Sequence, residues 1–274
     1  MIKNKPGAYT HSAFQYWEGK ITLKLVYKIL VENWPMFIRG AGMTLYISLI
    51  ATTIGWIIGL IVGIIRTIPI PERGFKKGFL KVINALLSAY IEFFRGTPMM
   101  VQAMVIYYGS AEAFGFSMDK YFAAILIVSI NTGAYMSEVV RGGIISIDKG
   151  QFEAAHALGM NHFQTMTNVV MPQVIRNILP ATGNEFVINI KDTSVLNVIS
   201  VSELYFVTKS IAGNTFIFYP PFFIACLLYF VMTFTVTRIL RLFEKKIDGP
   251  ENFILAGNQM QVAKPESMIR LKNR

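Results

Sequence analysis

Charge is what this chain has least of. Only 15% of its 274 residues are charged, against 53% hydrophobic. A soluble domain usually carries about a quarter charged residues. The deficit argues against an ordinary soluble protein and for a membrane protein. Acids are scarcer than bases: 16 Asp and Glu stand against 26 Lys and Arg, a net charge of +10. In a soluble chain that excess would raise nucleic acid as a partner. Here the bases flank apolar runs, so topology and membrane lipid headgroups account for them and no nucleic-acid partner is expected.

Other absences narrow the chemistry. The single cysteine, Cys226, sits in an apolar run, so it forms no intrachain disulfide and reads as packing. The three histidines, His11, His156 and His162, lie outside the apolar runs, so no intramembrane metal site is expected. Neither G-x-x-x-x-G-K-[ST] nor H-E-x-x-H occurs. The chain is therefore not expected to be an enzyme, to hydrolyse ATP or to carry a cofactor of its own. No serine or threonine has a histidine partner at membrane depth. Residues 1–20 lack the apolar core of a cleavable signal peptide. No internal repeat of the kind usual in ion-driven carriers is visible.

Apolar runs are what is present. Residues 1–20 read as polar and irregular. Residues 21–37 are amphipathic, with Leu25, Ile29 and Trp34 beside Lys24, Lys28 and Glu32, and predict a helix lying in the membrane interface. Gly40 to Ile65 holds no charge and exceeds the ~20 residues a helical span needs. Gly55, Gly59 and Gly63 recur every fourth residue along it, a face suited to close helix packing. The next span, 82–111, predicts a kink at Gly96–Pro98. A third runs from Tyr121 towards Ile147, a fourth from Met171 to Ile190 with a break at Pro180, and a fifth follows Pro220-Pro221. Residues 192–219 read as an outer connection with some helix over 202–211. Basic excess in Arg66–Lys81 and after Arg238 marks those segments as cytoplasmic, which puts the N-terminus outside.

One polar stretch interrupts this pattern: Gln151-Phe-Glu-Ala-Ala-His-Ala-Leu-Gly159, running on to Met171-Pro172. It predicts a short helix, a left-handed cap at Gly159 and a second helix. An acid beside two small residues, Glu153-Ala154-Ala155, would form an exposed knob that another protein can approach closely.

Those residues carry a resemblance. Glu153-Ala154-Ala155, Gly159, then Val169-x-Met171-Pro172 resembles the EAA loop of ABC-importer permeases, with Val169 and Met171 as conservative departures. Phe94-Arg95-Gly96-Thr97-Pro98, Ala134-Tyr135-Met136-Ser137-Glu138, Arg141-Gly142-Gly143, Leu179 to Phe186 and Lys191-Asp192-Thr193-Ser194 resemble the polar amino-acid uptake branch. The resemblance covers roughly Trp34 to Lys246, in order. It implies an all-α membrane protein of about five transmembrane helices, with the type I ABC importer transmembrane domain over 40–243. An N-terminal extension (1–39) would precede it and a cytoplasmic tail (244–274) would follow. Within it a cytoplasmic coupling loop, about 148–170, would dock on an ATP-binding subunit through Glu153, Ala154, Ala155 and Gly159. Two such subunits, holding the ATP and Mg, would serve two permeases, either two copies of this chain or one copy and a relative. An extracytoplasmic binding protein would deliver the amino-acid substrate.

Ionisable groups in spans suggest where that substrate passes. Asn184, Glu185, Asn189, Lys191 and Asp192 fall in one arc of about 160° on a helix. Glu185 suits an ammonium, and the face offers both charge signs. Arg95 and Thr97 beside the kink, and Glu138 with Asn131 and Tyr135 on one helix face, are further candidates. All of these equally suit plain pairing between neighbouring helices, and Glu138 and Arg141 suit pairing within their own. An ion-coupled carrier using Glu138, Glu185 or Asp192 is the alternative function.

Overall fold

The structure, a computed structural model, describes residues 23–248, and every regular element among them is helical. The irregular segment expected before Ile21, His11 and the tail beyond residue 248 lie outside the described residues.

Helix α1 (Leu23–Ile65) has 43 residues, about 65 Å of helix, twice the ~30 Å of a bilayer core. This corrects the expected division into an interfacial helix and a separate span: the helix passes unbroken through Pro35 and across residues 39–40. The reason is tertiary. Ile29 and Phe37 are only 3% and 1% exposed and pack with Leu204, Val207 and Ile224. Lys24, Lys28 and Glu32 stay on the exposed side, with Lys28 and Glu32 3.9 Å apart.

Helix α1 packs along α4 (Lys120–Ile145) through the glycine face. A Cβ placed on Gly55 would lie 2.6 Å from Thr132 Cβ, and one on Gly63 2.7 Å from Val140 Cγ1. The two helices meet in the same residue order, so they are parallel. The chain between them must therefore cross back. It does so as α2 (Phe75–Gly96) and α3 (Met99–Phe114). Thr97 and Pro98 between them are extended, with ψ of 147° and 132°, so a true break replaces the expected kink.

After α4 come α5 (Lys149–Ala157), the single turn α6 (His162–Thr165) and a widened π turn, Met166–Val170. These lead into α7 (Met171–Asp192), antiparallel to α4: Gly143 sits beside Val174 and Ile178, and Thr132 bonds Asn189. The expected break at Pro180 is absent, and α7 continues through it. Buried contacts on either side hold it, with Ile178 packed inward and Gly183 against Leu240.

The connection over 192–219 carries the expected helix but packs into the core rather than lying on its surface. A 3-10 helix, Thr193–Ile199, and α8 (Leu204–Thr215) bury Leu196, Ile199, Val201 and Leu204 almost completely. Helix α9 (Tyr219–Asp248) then returns antiparallel to α7. By length and hydropathy α1, α4 and α9 qualify as spans, and residues 162–199 with α8, bent by 54°, form a fourth candidate. The α2–α3 pass follows from the parallel course of its neighbours. Five passes result: α1, α2–α3, α4, α7 and α9. The loop after α1, the α4–α7 elbow and the end of α9 all share one side.

Candidate functional site

The elbow is built by local capping. Asp148 accepts from the Gly150 N–H and starts α5. Gly159, at φ +80°, ends it in the expected left-handed cap. There Met160 N–H donates to Ala155 O and Gly159 N–H to His156 O, the paired bonds of a Schellman turn. Asn161 and Gln164 then form a reciprocal capping box that starts α6.

Glu153, Ala154 and Gly159 are exposed, as the knob requires. Ala155 is not: it is 3% exposed and faces the protein itself. The expected pair of outward small residues is therefore one, because α5 needs an inward side chain to sit on the segment 162–170. The sequence did not single out two large apolar neighbours. Leu158 is 80% exposed and Phe163 74%. Together with Glu153 they give the elbow an apolar, acid-marked outer surface.

A second cluster lies at the α2–α3 break. The Gln102 amide donates to Phe94 O, Thr97 O and Thr97 Oγ1, at 2.9, 2.9 and 2.8 Å. Asn131 on α4 donates to Gln102 Oε1 at 3.0 Å and to Phe94 O at 3.2 Å. These bonds satisfy the carbonyls freed by the break and tie it to α4. Thr97 is therefore part of the hinge. The Arg95 guanidinium lies 5.4 Å from the centre of the Tyr135 ring on α4.

The structure divides the α7 candidates. Asn189 is buried and donates to Thr52 Oγ1 at 2.8 Å and Thr132 Oγ1 at 2.9 Å. It joins α1, α4 and α7 and does not share the open face. Asn184, Lys191 and Asp192 are exposed, and Glu185 is half-buried. None of the three charged residues among them, nor Arg95, has an ion-pair partner among the described residues. Ion pairs among the described residues do not account for them.

Pairing does account for Glu138. It binds Arg66 at the end of α1 and lies 3.8 Å from Arg141, while Arg66 also reaches Ser88 on α2. Of the two expectations for Glu138, pathway contact and pairing, the structure displays the pairing: two arginines meet it, and it ties three passes together.

Sequence reasoning missed Glu203. It is fully buried, caps α8 by accepting from the N–H groups of Tyr205 and Phe206, and accepts from Tyr229 Oη at 2.9 Å. An acid one residue ahead of an apolar helix was the available signal.

The family model described as binding-protein-dependent transport system inner membrane component matches residues 74–249, which include the elbow, the break and the α7 face. The chain belongs to this family. It is 36% identical to the glutamine transport system permease protein of Escherichia coli over 78% of this chain and 93% of that protein. It is 31% identical to the arginine transport system permease protein of Bacillus subtilis, over 82% and 98%. A crystal structure of an amino acid ABC transporter with histidines superposes with a TM-score of 0.70 at 38% identity, over 79% of this chain and 96% of that one. The inward-facing MetNI methionine ABC transporter, at 18% identity and a TM-score of 0.59, has the same fold over 76% and 95%.

The fold is thus the all-α type I importer domain that the resemblance implied. The protein is a multi-pass permease of an ABC import system, working with ATP-binding and substrate-binding components. Membership of this family sets aside the ion-coupled carrier.

Proposed function

We propose that this permease carries a polar amino acid inward across the cytoplasmic membrane, driven by ATP hydrolysed on a separate subunit. The observation that carries the reading is the open face of α7, where Glu185, Lys191 and Asp192 have no ion-pair partner among the described residues. Charges inside a span pair or line a pathway. Both signs on one face suit a zwitterion. The names of the relatives, transport systems for glutamine, arginine and nopaline, support the same class.

The elbow is the coupling element. Glu153 and Ala154, with Leu158 and Phe163 beside them, enter a groove of the ATP-binding subunit, and Gly159 turns the chain out of that contact. Ala155 braces the helix from within. Two ATP-binding subunits serve two permeases, so the elbow side is cytoplasmic and Leu23 lies towards the outside. Closure of the ATPase pair favours the outward-open arrangement because it binds that arrangement better. ATP and Mg belong to the partner, and specificity is shared with an external binding protein.

The test is reconstitution. Permease, ATP-binding subunit and binding protein in liposomes should take up radiolabelled amino acid only with ATP enclosed on the ATPase side. Uptake by the permease alone, driven by a proton or sodium gradient, would overturn the reading.

A further inference from the structure

Helices α7 and α9 leave a groove between them with a volume of ≈ 260 Å³. Its walls carry Arg238 and Arg241 of α9 towards the elbow and Lys191, near the far end of α7, on the other side. No carboxylate forms an ion pair with any of them among the described residues. Arg238 lies over the Phe234 ring, 4.9 Å from its centre. Phe230 and Phe234, both exposed, line the rest of the groove on the side away from the elbow.

The polar groups in the wall make no further demand. Thr233 donates to Tyr229 O and Thr237 to Thr233 O, each within its own helix. Hydroxyls so occupied can face hydrocarbon. What remains is an aromatic wall leading down to a cationic end. From Phe230 to Arg241 the helix rises about 16 Å, close to half of the ~30 Å hydrocarbon core. The cationic end lies on the elbow side, since α9 runs antiparallel to α7 with Leu240 beside Gly183.

We propose that this groove holds an anionic phospholipid, its phosphate at Arg238 and Arg241 and one acyl chain along Phe234 and Phe230. Basic pockets between spans are suited to such headgroups. Arginine adds the planar donors that fit phosphate oxygens. The lipid fills the seam between the fourth and fifth passes and neutralises two arginines that have no ion-pair partner among the described residues.

The full permease, with its ATP-binding partner, is placed in phosphatidylcholine nanodiscs doped with a photoreactive phosphatidylglycerol. Irradiation should label the 230–241 segment. Unlabelled phosphatidylglycerol should compete, while phosphatidylcholine and soluble glycerol phosphate should not. In Arg238→Gln/Arg241→Gln the labelling should fall by about thirty-fold, the effect of two membrane-surface cations. Competition by phosphatidylcholine as good as by phosphatidylglycerol would overturn the proposal without recourse to the variant. So would competition by glycerol phosphate, which would make the site one for free anions. Cross-linking of Phe230→Cys to a second permease, or to residues 249–274, would show the groove covered by protein and would equally overturn it.

Discussion

Gly59 and Met136 approach so closely that a Cβ on the glycine would collide with the Cβ of the methionine. That contact, repeated one turn away on each side, sets the parallel pairing of α1 and α4 from which the other pass directions follow. Gly59→Leu should force the helices apart, at the ~1–3 kcal/mol or more of overpacking. A Cβ on Gly42 would meet no neighbouring helix within 4 Å, so Gly42→Ala should be tolerated. Melting temperatures in detergent decide it: equal losses for both variants would contradict the close-packed seam.

At the elbow, inward and outward residues should behave differently. Glu153→Lys and Ala154→Trp should leave the permease in the membrane, lose the ATP-binding subunit on purification and abolish uptake. Ala155→Trp, at a buried position, should instead lower the amount of folded permease. Full uptake by a stably inserted Glu153→Lys protein would remove the coupling role.

Glu138 should prove a tie between helices. Glu138→Gln should lower stability by about 1–3 kcal/mol, less than the ~3–5 kcal/mol for breaking a fully buried pair, because the Arg66 and Glu138 side chains retain 18% and 29% exposure. The exchange Arg66→Glu/Glu138→Arg should recover part of the loss. A changed KM for substrate with unchanged stability would restore Glu138 to the pathway.

The buried amide of Asn189 gives a quantitative check. Asn189→Leu and Thr52→Val, singly and together, form a double-mutant cycle across the 2.8 Å bond. Its coupling energy should be near the ~0.6 kcal/mol average of hydrogen bonds between membrane helices, with an upper range of ~1.7. Additive losses would mean that the bond contributes nothing to holding α7 on α1.

Much of the elbow was legible because its chemistry is local. Gly159 ends α5 through bonds to Ala155 and His156, all within one turn of chain. The glycine face of α1 was legible for a similar reason: small residues at a four-residue spacing share a face in any helix. Glu203 was not legible as a knot. Its partners Tyr229 and Thr44 lie 26 and 159 positions away, and nothing near residue 203 names them. Pro180 misled because its local effect, loss of one backbone bond, is overridden by packing on both sides.

From the sequence alone came the membrane, the helices, the elbow with its Gly159 cap and the family, because hydropathy, periodicity and capping act over a few residues. Tertiary structure alone decided that α1 is one rod, that Ala155 turns inward and that residues 193–204 belong to the core. It also assigned Glu138 to Arg66 while leaving Glu185, Lys191 and Asp192 without ion-pair partners among the described residues. Each of these depends on which distant side chain arrives at a given face, and that is fixed only when the helices pack.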